Sequence, residues 1–105
     1  MFYFENTKGK RTESRNLNDI RRKAMIYIKT LSVVNVIDIM SEVQGYMGNI
    51  YKDGENNCIW NPSKGKRLSY PDQTYMGNQQ SYLNNDGSLS EKIATPIIPI
   101  NAYRK

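Results

Sequence analysis

The sequence predicts an α+β fold, with an N-terminal helix or helix pair (about 17–44) packed on a small antiparallel sheet built from hairpins (about 48–100). Three observations predict it. Apolar residues recur every three or four positions from Leu17 to Val43, the spacing of a helical stripe. From Gly45 onward the texture changes to short β-favouring runs. Those runs are punctuated by two Asp-Gly turns, Asp53-Gly54 and Asp86-Gly87, the commonest signal of a tight hairpin.

Residues 5–16 (ENTKGKRTESRN) contain no apolar side chain and read as part of a basic, flexible arm spanning 1–16, ahead of one compact domain over 17–105. Asn16 or Asn18 is placed to cap the first helix, whose buried stripe is Leu17, Ile20, Ala24, Ile28 and Leu31. Residues 24–30 also alternate with period two and contain Ile and Tyr, so a strand competes there with the helix. Ser32 is placed as a second cap, with Val33, Val36, Ile37, Met40 and Val43 as a second stripe and Gly45 as its stop. The β-branched content of that stripe lowers its intrinsic helicity, so packing would have to hold it. Strands follow at 48–52, 58–60, 66–70, 79–83 and 88–93, and Pro96 and Pro99 confine the last extended segment, 96–100, to an edge or loop.

The chain of 105 residues carries 15 Lys and Arg, 10 Asp and Glu, no histidine and one cysteine. Without histidine it lacks the side chain most used for acid–base chemistry near neutrality and the commonest metal ligand. A lone Cys58 excludes an intramolecular disulfide and any site of several thiolates; it reads as a small packed hydrophobe. Asp53 and Glu55 do not follow the ligand order of a calcium loop and read as turn residues. No nucleophile elbow or P-loop spacing occurs. The expectation is a protein that is not an enzyme, with no cofactor and no metal. No apolar run approaches the length of a membrane span, and the single thiol fits a reducing interior, so no membrane association and a cytoplasmic location, in the producing or an infected cell, are expected.

Charge is segregated. Residues 1–29 hold eight cations against Glu5, Glu13 and Asp19, a net +5 equal to that of the whole chain. Residues 30–60 carry a net −3, and Lys64, Lys66 and Arg67 give residues 61–71 a net +3. Cations interleaved with aromatic faces suit a ligand whose bases stack while its phosphates are neutralised. The expected ligand is therefore polyanionic, a nucleic acid or phosphorylated nucleotide. Arg21, Arg22, Lys64, Lys66 and Arg67 are the phosphate-binding candidates, and Tyr51, Trp60, Tyr70, Tyr75 and Tyr82 the stacking candidates. A winged-helix outline fails on charge, because its second helix would present Asp38 and Glu42 and no cation to the DNA phosphates.

An alternative of a different class is a protein–protein module, such as an inhibitor of a host defence protein encoded by a phage or mobile element. Its contact would be the acidic second helix and the Tyr/Trp hairpin, since interfaces favour Tyr, Trp and Met. Homo-oligomerisation through the extended segment 96–100 is compatible with either reading.

Overall fold

One helix lies on one face of a seven-stranded antiparallel sheet, an α+β arrangement, in a computed structural model that describes residues 1–32, 36–63 and 80–93. The strands are β1 (Phe2–Glu5), β2 (Arg11–Ser14), β3 (Val36–Ser41), β4 (Gly45–Lys52), β5 (Cys58–Pro62), β6 (Ser81–Leu83) and β7 (Leu89–Ile93), and the helix α1 is Leu17–Ile28. Their order across the sheet is β2-β1-β3-β4-β5-β6-β7. Both β2 and β3 are antiparallel to β1, so they run parallel to each other with β1 between them, and α1 makes the crossover.

The helix starts where its cap dictates. Asn16 is extended, and its side-chain oxygen accepts the Asp19 N–H at 3.0 Å, satisfying one of the donors that a helix start leaves open. Ile20, Ala24, Met25 and Ile28 are buried against the sheet, so the helical period wins over the strand period at 24–28. The competing strand would have exposed part of this set, because alternation sends neighbouring side chains to opposite faces.

Two sequence expectations are corrected. The second helix is absent: within the segment read as that helix, Val36–Ser41 forms β3, with Ile37, Ile39 and Ser41 buried in alternation. The sequence Val-Ile-Asp-Ile-Met-Ser satisfies either period, and its β-branched residues find partners on both sides, β1 and β4. Gly45, expected as a helix stop, instead opens β4. The second correction concerns residues 1–16, read as a solvated arm, which contain the hairpin β1–β2. Phe4 is buried in the core and Phe2 packs on it, while Asn6 closes the turn by accepting the N–H groups of Lys8 and Lys10, each at 2.9 Å. Both Asp-Gly hairpins are found, as β4–β5 and β6–β7. The expected strand at 66–70 and the segment 96–100 lie outside the described residues.

The core between α1 and the sheet is apolar: Phe4, Ile37, Ile39, Ile50, Cys58 and Trp60 face Ile20, Ala24, Met25 and Ile28. A register shift between Ile39 and Met40 leaves Met47 as the extra residue of a bulge, followed by Gly48 with φ +143°. A Cβ at Gly48 would strike the Asn61 carbonyl oxygen and would lie 2.8 Å from Cη2 of Trp60. Glycine is required there because β5 and the indole occupy the space. Gly87, at φ +86°, is equally constrained, since its Cβ would meet the Asn18 carbonyl and the Arg22 backbone. The β6–β7 turn thus rests directly on the first half of α1.

Candidate functional site

The structure places the ten expected site residues very differently from one another. Lys64, Lys66, Arg67, Tyr70 and Tyr75 lie outside the described residues. Arg21 is buried rather than solvated: its Nε donates to the Gly87 carbonyl at 2.9 Å, its guanidinium donates to Asn18 Oδ1, and it sits 5.2 Å from the centre of the Trp60 ring. It tethers the β6–β7 turn to the helix, and burial holds its pKa below the usual arginine value. Arg22 is paired with Asp19 at 2.7 Å.

Tyr51 is fully buried, with its hydroxyl bonded to Gln80 Oε1, and Trp60 is a core residue under α1. Neither ring offers an open face for stacking. The physical reason is the position of β4 and β5 in the middle of the sheet, where side chains on both faces are covered. Tyr82 is half-buried on β6, with Lys92 Nζ 4.9 Å from its ring centre. The surface expected of the protein–protein alternative is likewise missing, because its acidic helix is β3 and its tryptophan is buried.

Two other regions are brought together by the fold. The first is basic. Pairing of β1 with β2 and packing of α1 against both joins the segments that carry the net +5 of residues 1–29 into one contiguous unit, from which α1 continues across β3 and β4. The β1–β2 turn is fastened to the helix by Tyr27, whose hydroxyl accepts the Thr7 N–H at 3.1 Å and bonds the Thr7 hydroxyl at 2.9 Å. Those two bonds, helped by the charge of Lys8, lower the Tyr27 pKa from the ordinary phenol value. Within this unit some cations are neutralised internally: Arg11 lies 3.7 Å over the Tyr3 ring and 3.4 Å from Glu13, while Arg22 and Lys23 share Asp19. Among the described residues, Lys8, Lys10, Arg15 and Lys29 are exposed and have no carboxylate within 4.0 Å.

The second region is polar and buried. On the sheet face away from α1, the Tyr46 hydroxyl donates to Asp38 Oδ1 at 3.1 Å and accepts Asn49 Nδ2 at 3.2 Å. Asn49 stands directly opposite Asn61 across the β4–β5 ladder, and both are fully buried. The alternation of β4 and β5 could have located this pair in the sequence, but asparagine at those positions reads as solvent-facing.

Cys58, the lone thiol, is buried in the apolar core, where desolvation pushes its pKa up to about 11. No group of three His, Cys, Asp or Glu side chains suited to a metal ion occurs among the described residues. No helix among them is long and apolar enough to cross a membrane. The chain matches no protein-family model, and no curated protein or solved structure is significantly similar to it.

Proposed function

We propose that the chain is a non-catalytic protein that binds nucleic acid through the basic surface of β1, β2 and α1. One observation carries this reading. The first 29 residues have eight cations against three carboxylates, whereas the remaining 76 are balanced at seven of each. The fold keeps these cations, the buried Arg21 apart, on a hairpin and the helix packed against it.

The arrangement favours a run of phosphates over a single nucleotide. Lys8 and Lys10 in the β1–β2 turn, Arg15 between β2 and α1, and Lys29 at the end of α1 are exposed and dispersed along the chain. Dispersed, solvated cations bind polyanions by releasing condensed counterions, a contribution that needs no fixed geometry and carries no sequence information. The tyrosine-rich sheet expected to supply stacking has Tyr51 buried, so charge is the main term in this reading.

Fluorescence anisotropy with labelled single-stranded and duplex oligonucleotides tests it. Four phosphate contacts predict a slope of log affinity against log salt of about −3 to −4. The variant Lys8→Glu, Lys10→Glu, Arg15→Glu is expected to weaken binding at least tenfold while its circular dichroism stays unchanged. Absence of binding to both oligonucleotides at low salt, or equal binding by the triple variant, overturns the reading.

A further inference from the structure

We propose that the outer edge of β2 is a self-pairing surface, at which two copies of the chain join their sheets antiparallel about a two-fold axis. The surface lies wholly on described residues and does not depend on the nucleic-acid reading.

β2 ends the sheet, with β1 on its inner side and no strand on its outer side among the described residues. The hydrogen bonds around β1 fix which backbone groups of β2 face outward. The Asn6 N–H donates to the Lys10 carbonyl at 2.9 Å, so the pairs that exchange bonds are Asn6 with Lys10 and then, in steps of two, Phe4 with Thr12 and Phe2 with Ser14. On the other side of β1, the Glu42 N–H donates to the Met1 carbonyl at 3.0 Å, and the same alternation turns the backbone of Tyr3 towards β3. The N–H and C=O groups of Arg11 and Glu13 therefore point away from the sheet. Both side chains are 42% exposed, so the edge is open to solvent.

An open edge invites another strand, and charged side chains are a common protection. In β2 the charges stand in an order that a two-fold axis converts into attraction. With Thr12 facing the Thr12 of a second copy, Arg11 stands opposite Glu13 of that copy, and Glu13 opposite its Arg11. These are the residues whose backbone groups point outward, so each pair exchanges both of its N–H···O=C bonds. Registers that set Arg11 against Arg11, or Glu13 against Glu13, bring like charges directly opposite and are destabilised. Charge complementarity thus selects one antiparallel register, and it selects a second copy of this chain as the occupant.

α1 supplies a guard for the unpaired edge. Lys23 Nζ donates to the Glu13 carbonyl at 3.2 Å and so occupies one outward acceptor. It also lies 3.3 Å from Asp19 Oδ2, so it can release the carbonyl on pairing and keep an ionic partner. The strand is four residues long, which makes the contact small and the dimer reversible.

Sedimentation equilibrium of the intact chain, without nucleic acid and from micromolar to millimolar concentration, tests the proposal. The unaltered chain is expected to dimerise reversibly. Arg11→Glu and Glu13→Arg each put like charges opposite one another in a homodimer, and each is expected to weaken self-association at least tenfold. Mixed in equal amounts, the two variants bring opposite charges together again and are expected to form a heterodimer about as tight as the unaltered homodimer. Circular dichroism reports whether each variant folds. Should either fail to, Glu13→Pro removes an outward N–H while sparing the bonds to β1, and is expected to abolish dimerisation. A monomer at every concentration overturns the proposal. So does a dimer that Arg11→Glu or Glu13→Pro leaves as tight as before, or a mixture of the two charge variants that stays monomeric.

Discussion

The two faces of the central sheet are both buried, yet they are made of different chemistry. Towards α1 the strands present Ile37, Ile39, Ile50, Cys58 and Trp60, a continuous apolar layer. Away from it they present Asp38, Tyr46, Asn49 and Asn61 beside Tyr51 and Ile59. The first face stabilises by burial alone, each large side chain contributing about 1.5–3 kcal/mol on leaving water. The second holds polar atoms that burial penalises. The contrast teaches that the helix-facing layer is uniformly apolar, whereas the opposite face offsets apolar burial at Tyr51 and Ile59 with polar atoms whose desolvation costs stability.

The largest break in that contrast is expected from Ile39→Ala, on the apolar face, where the residue is wholly buried. Loss of its contacts and the cavity left behind predict a destabilisation of about 2–5 kcal/mol in denaturant unfolding. The buried Cys58 thiol gives an independent readout, since its labelling by a thiol reagent should accelerate as the layer opens. An unchanged labelling rate and midpoint would show that the helix-facing layer does not hold the fold.

A smaller effect is expected where α1 is anchored to that layer. Asn16→Ala removes the acceptor for the Asp19 N–H and should cost about 1 kcal/mol, read as a lower melting temperature with strand content retained. Wild-type stability in this variant would mean that packing of Ile20 and Ile28 fixes the helix start without its cap.

The smallest effect is electrostatic. Arg22, with the Ser14 hydroxyl and Lys23, holds the Asp19 carboxyl down to about 2, below its ordinary value of 3.8. A depressed carboxylate pKa contributes stability that is present above the unfolded value and is lost as pH falls from about 3.8 towards 2. Asp19→Asn should therefore lower stability slightly above about pH 4, where the ionised carboxylate acts, and flatten the acid limb between about 3.8 and 2. The Asp19 pair is solvent-exposed, so salt should weaken this contribution. An acid limb identical in Asp19→Asn would place the sensitivity elsewhere.

The parts of the fold legible in the sequence are those with local chemistry. Asn16 and the Leu17, Ile20, Ala24, Ile28 spacing specify α1. Asp53-Gly54 and Asp86-Gly87 mark the two hairpins; the left-handed position is Gly87 in the second turn, whereas in the first it is Asn56 and not Gly54. Residues 36–41 were ambiguous because their apolar positions fit both periods, and only β1 and β4 on either side resolve them as a strand. The β1–β2 hairpin was hidden because β2, Arg-Thr-Glu-Ser, has no apolar residue, and its place at the sheet edge lets it remain polar.

The candidate surfaces divide in the same way. Segregation of charge into residues 1–29 is a property of the sequence itself, since formal charges do not depend on the fold. Which cations stay free does depend on it: Arg21 turns inward to the Gly87 carbonyl, while Lys8 and Lys10 remain on an exposed turn. The Asn49–Asn61 pair is wholly a product of tertiary structure, because residues twelve apart meet only when β4 and β5 take their register. By itself the sequence determined the local elements and the sign and location of the charge, which short-range sterics and ionisation set. The tertiary structure alone decided which polar side chains were cut off from water, because burial depends on what distant strands place beside each residue.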